Sequence, residues 1–330
     1  MNRAVLQSRW CRFPLFILLL LAAAMGSGCK KEGPYPNHEI EIVIPFAPGE
    51  PADIAARIIQ PKLSELLGVP VGLVNKPGGG GALGTFAVAK APPDGYQVLA
   101  TSSSVFTVLP ATASNLSYSL ADFTPLGSYL SDWSVIAVAV ESPWKNLEQF
   151  VEYAKKNPGK LNYGSPGAGT VSHFAMEQLK QFYKLEIEHV PFSGAVQVKE
   201  ALLTGQLEVA AAGLATLAPL FQSGELRPLV TTAEDWLPKY PDIPTMYEKG
   251  ISDFPMRIGM GLFVSAGTAK EISERLSGAL ATIMQDPAVY AAADAAGLDV
   301  DYRNPDASGK VLGIEAVVIR AAAEEFQMKN

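Results

Sequence analysis

The stretch Ile42-Val-Ile-Pro-Phe-Ala-Pro-Gly-Glu-Pro-Ala-Asp-Ile-Ala-Ala-Arg57 carries a strand, a tight turn and the start of a helix. Ile40 to Ile44 reads as a buried strand, and Pro45 to Gly49 supplies turn chemistry. A helix opens near Pro51, which suits the first helical position because its fixed φ is already helical and no amide bond is lost there. Asp53 in the first turn complements the helix dipole. A strand that delivers its end to a helix N-terminus exposes unpaired N–H groups, which attract anions. The same stretch is also what an ordinary first βα unit looks like, so the rest of the chain must decide.

Upstream of this stretch, Arg3, Arg9 and Arg12 precede an apolar run from Phe13 to Met25. That run is shorter than the ~20 residues of a membrane span and fits a signal-peptide core. Small residues, Gly26-Ser-Gly28, lead directly into Cys29, which resembles a lipoprotein cleavage box with Cys29 as the lipidated residue. Gly26 stands where such boxes usually hold Leu, and a secreted protein cut elsewhere is the alternative. The expected organisation is a signal peptide at 1–28 and a Gly/Pro-containing tether at 29–37, with the working protein outside the cytoplasm.

Loss of residues 1–28 removes three arginines and no acids, leaving 23 basic against 33 acidic residues. A net charge of about −10 argues against nucleic acid as a partner. Cys11 and Cys29 are the two cysteines, so neither a disulfide framework nor a cysteine metal site can form in the body. His38, His173 and His189 show no metal-ligand spacing, and neither a metal nor a cofactor is expected.

Downstream, strands are expected at 69–74, 97–100, 123–129, 135–140, 160–163, 187–191, 207–212, 227–232 and 258–265. Helices are expected at 82–89, 146–156 (capped by Asn146), to Tyr183, 195–203, 213–224, 268–284, 287–296 and 305–328. This alternation indicates a mostly parallel α/β protein, long enough for two lobes. The run Gly78-Gly-Gly-Gly81 lacks the Gly-Lys-Ser/Thr ending of a P-loop and reads as a sharp turn. Thr101-Ser-Ser-Ser104 places hydroxyls at a strand end, where open α/β sheets bind ligands. Gly164-Ser-Pro-Gly-Ala-Gly-Thr-Val-Ser-His173 repeats the strand–glycine loop–helix arrangement more than 100 residues after the first. Two such loops could close on one ligand from two sides. Ser165 lacks the preceding glycine of a hydrolase elbow, since position 163 is Tyr. His173 has no carboxylate partner assignable from sequence, and a structural or ligand-side hydrogen bond is expected of it.

Taken in order, these motifs resemble the extracytoplasmic solute receptors of the tripartite tricarboxylate transporters, also called Bug-type receptors. That family opens with Pro-Phe-x-x-Gly-Gly-x-x-Asp and Ala-Arg, matched by Pro45, Phe46, Gly49, Asp53, Ala56 and Arg57. Asn75 to Gly81, Ala91 to Tyr96, Gly159 to His173, Val190 to Gly194, Tyr240 to Thr245 and Ser265 to Thr268 are similar to its later motifs. The resemblance spans essentially the whole mature chain. It implies a two-lobed periplasmic-binding-protein fold (Venus flytrap, type II) with a mostly parallel sheet in each lobe. Lobe 1 would comprise 38–137 and 230–330, and lobe 2 would comprise 138–229. It further implies a monomeric, non-catalytic receptor that captures a small carboxylate or related organic solute and delivers it to membrane permease subunits. The expected ligand residues are Phe46, Ala47 and Gly49 from one lobe and Ser165, Ala168, Gly169 and Thr170 from the other. Ser102, Ser103, His173, Ser193 and Gly213 stand behind them.

Glu50 departs from the family pattern, which has glycine there. Its carboxylate either faces solvent or stands beside the ligand, where it would repel a simple anion. The family often has Lys or Arg where this chain has Ser193. Together these make an amine-bearing or weakly charged ligand an alternative to a di- or tricarboxylate. The other functional readings are a ligand sensor signalling to a membrane partner and an extracytoplasmic enzyme on the same fold.

Overall fold

The computed structural model describes residues 33–252 and 256–325. The expected signal peptide at 1–28 and Cys29 lie outside the described residues. Among the described residues, 33–37 belong to one unit and His38 onward to another. In the first unit Asn37 donates its side-chain amide to the Gly33 carbonyl at 3.0 Å.

In chain order the second unit contains β1 (Ile40–Ile44), α1 (Pro51–Leu67), β2 (Val71–Asn75), α2 (Ala82–Ala89) and β3 (Gln97–Ser102). There follow α3 (Val108–Thr112), β4 (Phe123–Ala139), α4 (Leu147–Lys156), β5 (Leu161–Ser165) and α5 (Val171–Tyr183). Next come β6 (Ile187–Pro191), α6 (Ala195–Leu203), β7 (Val209–Gly213), α7 (Leu214–Ser223) and β8 (Leu226–Thr231). The chain ends with β9 (Arg257–Ser265), α8 (Lys270–Ile283), α9 (Pro287–Ala295), β10 (Asp299–Arg303) and α10 (Pro305–Glu325).

Helix α1 shows how local chemistry sets these boundaries. Pro51 takes its first position, and Gly68 ends it in the left-handed conformation (φ 72°), donating to the Ser64 carbonyl. Ala52, Ala55, Ala56, Ile59, Leu63 and Leu67 recur at helical spacing and are buried. Burying each of the larger three contributes about 1.5–3 kcal/mol. Asn146 caps α4 by accepting from the Gln149 amide at 2.9 Å.

The strands run in the order β2-β1-β3-β9-β4-β7-β5-β6, with β10 and β8 also pairing β4. Parallel pairing holds among β1, β2 and β3 and among β5, β6 and β7. The expectation of mostly parallel sheets is met only there. β4 and β9 cross back antiparallel, and β8 and β10 pair β4 antiparallel, so both sheets are mixed.

The two strands expected at 123–129 and 135–140 are one strand of 17 residues, β4. It pairs β9 from Phe123 to Trp133, then β7 from Ser134 to Ala137, so a single strand belongs to both sheets. The polar run Ser131-Asp-Trp-Ser134 looks like a break in sequence, yet it is buried and its polar groups are largely bonded across the structure. The Ser134 amide donates to the Thr232 hydroxyl at 3.0 Å, and Ser134 Oγ donates to Ser172 Oγ at 2.9 Å. Bonds from residues this distant satisfy the strand and remove the need for a loop. β10 and α3 were not anticipated. β10 is rich in Asp and Arg and pairs the edge of β4 opposite β9.

The second sheet's core gathers Trp133, Val135 and Ala137 from β4 with Val198 and Leu202 of α6 and Leu217 of α7. Both sheets therefore meet along β4, and the loops at their strand ends face one another.

Candidate functional site

The first jaw is the loop 45–50 between β1 and α1. Asp53 organises it. Its carboxylate accepts from the Gly49 amide at 2.9 Å, from Arg57 at 2.8 and 2.9 Å, and from Asn75 at 2.9 Å. Asn75 also donates to the Phe46 carbonyl at 3.0 Å. Burial alone would raise the Asp53 pKa, but Arg57, the Gly49 amide and Asn75 outweigh it and hold the carboxyl below its ordinary range. Asp53 thus secures the helix start, as expected, and fixes the loop as well. Gly49 turns the chain at φ 84°, a conformation that favours glycine.

The second jaw is the loop 166–170 between β5 and α5. Thr170 caps α5, accepting from the His173 amide at 3.3 Å and donating to the Gly167 carbonyl at 2.8 Å. Ser165 is fully buried beneath the loop, with Oγ 2.7 Å from His189 Nε2 and bonded to Gly167. His173 Nδ1 accepts from the Gly169 amide at 3.4 Å, and its ring lies 4.4 Å from that of His189. Burial, with His173 beside it, brings His189 down to about 4, and burial lowers His173 too. Both imidazoles are therefore neutral near pH 7. Ser165 and the two histidines form an internal brace, with the serine closed off from any substrate.

The jaws meet directly. Gly80, held at φ 63°, packs against the Ala168 carbonyl oxygen, where an added Cβ would collide, and Leu109 packs against Gly169. The glycine run that reads as a turn is therefore also a contact surface. Thr216 Oγ1 donates to the Gly49 carbonyl at 3.2 Å. Glu50 is 3% exposed, and its carboxylate accepts from the Ala195 amide at the start of α6. Of the two orientations open to Glu50 in sequence, the solvent-facing one is overturned. Burial raises its pKa most, the Ala195 and Val196 amides oppose, Asp53 adds to the rise, and the net position is about 7. Asp132 on β4, also buried, accepts from the amides of Trp133 at 2.8 Å and Ala215 at 3.3 Å. Burial pushes its carboxyl well above the ordinary range.

Between the jaws lies a small, partly open cavity. Of the residues expected at a site, Phe46, Glu50, Ser102, Thr170 and Gly213 line it. The others sit elsewhere. Ala47 packs toward Gly194 and Gly49 toward Val196. Ala168 and Gly169 form the jaw contact, Ser165 and His173 lie beneath it, and Ser193 is exposed. Ser103 faces a separate cavity with Arg257 and Glu315. Sequence reasoning did not single out Ser104, Ser172 or Ile258 as wall residues, nor Asp132 behind them. Ser104 and Ser172 stand inside motifs already noted, but which hydroxyl turns inward is set by bonds such as Ser102 Oγ to Ser104 Oγ at 2.6 Å. Among the described residues no cluster of His, Cys, Asp and Glu could hold a metal ion.

Two lobes joined through a shared strand, with hydroxyls and helix N-termini around the cleft between them, have the architecture of a solute-binding protein. The chain matches the tripartite tricarboxylate transporter family receptor over residues 55–315 and belongs to that family. It is 32% identical over 268 residues to a UPF0065 protein of Bordetella pertussis, covering 81% of this chain and 83% of that protein. It is similar to the solved structure of a periplasmic transporter, with a TM-score of 0.85 and 31% identity over 89% of this chain and 99% of the other. MatC from Rhodopseudomonas palustris with bound malate matches at TM-score 0.82 and 27% identity, over 87% of this chain and 99% of that one. The protein is an extracytoplasmic receptor, and among the described residues no helix is long and apolar enough to cross a membrane.

The burial of Glu50 makes stability depend on pH. A group whose pKa is raised by folding stabilises most below its unfolded value and loses that contribution as pH rises through the folded value. For Glu50 the window runs from 4.5 to about 7 and corresponds to about 3 kcal/mol. Glu50→Gln keeps an acceptor for the Ala195 amide, so it should exceed the parent in stability at pH 8.5 by up to about that amount and match it at pH 4.5. Urea titrations at the two pH values read this difference, and an equal gain at both would contradict it. Gly80→Ala should leave the melting temperature within a few degrees while holding the jaws apart. With both proteins saturated by a bound solute, small-angle scattering should show a larger radius of gyration for the variant than for the parent, and an unchanged one would contradict the contact.

Proposed function

We propose that the receptor takes a small organic carboxylate into the cleft between the 45–50 and 166–170 loops and hands it to the permease subunits of its transporter. The observation that carries this is the start of α5. Its N-cap hydroxyl satisfies the His173 amide, whereas the amides of Val171 and Ser172, the first two of the helix, have no intrahelical acceptor. Both residues line the cavity, beside Thr170 and opposite Ala52 at the start of α1. Helix N-termini converging in a confined, largely apolar space bind a carboxylate well. The malate found in the related MatC structure supports the same solute class.

The binding residues in this reading are Phe46, Glu50, Ala52, Ser102, Ser104, Thr170, Val171, Ser172 and Gly213. Ala47, Gly49, Ser165, Ala168, Gly169, His173 and Ser193 shape or brace the jaws, and Ser103 lies outside the cleft. The lobes move as 38–137 with 230–330 against 138–229. The change of partner along β4 between Trp133 and Ser134 supports a pivot close to the first of those boundaries. The cleft is complete within one chain, which supports a monomeric receptor. Lipidation of Cys29 anchors the receptor to a membrane through the short segment ending at Asn37. The apolar run 13–25 and the small residues before Cys29 support this.

A thermal-shift screen of the protein from Gly33 onward, against mono-, di- and tricarboxylates and amino acids, tests the reading. A selective solute at 100 times its dissociation constant adds about 2.7 kcal/mol, or roughly 5 °C for a body of this size. Val171→Pro, which removes one of the two open amides of α5 at the first helical position, where proline is accommodated, should reduce that shift. Folded protein that responds to none of these solutes would overturn the carboxylate reading.

A further inference from the structure

Three helices of the second lobe, α5, α6 and α7, begin at the jaw, and each brings unpaired amides to it. At α6 the Ala195 amide is taken by the Glu50 carboxylate, which comes from the opposite lobe. At α7 the Ala215 amide is shared by both oxygens of Asp132, at 3.3 Å each. The chain therefore fills two of these three positions that favour an anion with carboxylates of its own. The start of α5 stays open, and it stands across the cavity from Glu50. Among the described residues Glu50 is the single ionisable side chain in the cavity wall; the rest are apolar residues, Ser, Thr and Gly. Among those residues no Lys or Arg lines the wall to balance a second anionic group.

We propose that Glu50 is the specificity-determining residue of the cleft and selects a solute with one carboxylate and a hydrogen-bond donor, ammonium or amide, at its other end. The solute carboxylate occupies the start of α5. Its far end meets Glu50, whose carboxylate already accepts from Ala195 and retains lone pairs for a donor. A second carboxylate at that end would face Glu50 with no cation between them, and like charges in a water-poor space repel strongly. A donor there is paired instead of repelled, and a charged one is held best.

This inference rests on the carboxylate-receptor reading and can fail separately from it. Isothermal titration calorimetry at pH 8.5 compares, for chains of four to six carbons, the dicarboxylate, its monoamide and the ω-amino acid. The protein from Gly33 onward should bind the monoamide or the amino acid at least tenfold more tightly than the dicarboxylate of equal length. Glu50→Gln should erase that preference, and Glu50→Gly, which also removes the side chain's bulk, should reverse it. Circular dichroism confirms that each variant is folded, and either variant alone suffices for the comparison. A parent that prefers the dicarboxylate, or a preference unchanged in a folded variant, overturns the role of Glu50 while leaving the carboxylate reading in place. Failure of every compound to bind both parent and variants overturns the carboxylate reading and this inference together.

Discussion

One strand serves two sheets, and the rest of the molecule is arranged around that constraint. β4 exchanges β9 for β7 between Trp133 and Ser134, and there its side chains turn polar while remaining buried. Buried polar groups are costly unless bonded, so each lobe must bring partners to this crossing. Thr232, Ser172 and the Ala215 amide do so. The same bonds hold Ser172 and the starts of α5 and α7 at the mouth of the cleft. The crossing thus positions the walls of the cavity as well as joining the lobes.

Electrostatics within the cleft follow from this placement. Helix starts supply fixed positive ends, and the chain contributes the Glu50 and Asp132 carboxyl groups as acceptors that meet two of them, both with their pKa raised by burial. Asp53, by contrast, spends its charge on Arg57 and on the Gly49 amide, so it stiffens the loop without presenting a carboxylate to the cavity. Three acids lie within a short reach of one another, and only the one paired with an arginine is held below its ordinary pKa. The brace of Ser165, His173 and His189 supports the second jaw without adding charge to it, because both rings are neutral near pH 7.

Much of this was legible in the sequence because it is local. Ile40–Ile44, Pro51 at a helix start, the Asn146 cap and the two strand–loop–helix jaws depend on neighbours a few residues apart, and the structure has them where turn and capping chemistry put them. The continuity of β4 was not legible, because its polar run is satisfied by residues about 40 to 100 positions away. Glu50 was open for the same reason, since its partner Ala195 lies in the other lobe. The facing of individual loop residues was hidden too. Ala168 and Gly169 meet Gly80 and Leu109, whereas Val171 and Ser172 reach the cavity, and only the approach of the two jaws decides between them.

The central claim is that the two jaws close on a solute about the β4 crossing. It is tested most directly by a distance measured between the lobes. The body contains no cysteine, so spin labels can be placed uniquely at Glu65→Cys in α1 and Glu200→Cys in α6, both exposed. Pulsed electron resonance then gives the separation with and without the tightest-binding carboxylate. A shorter and narrower distance distribution on saturation is the predicted result; an identical distribution in the two states would contradict closure as the means of capture.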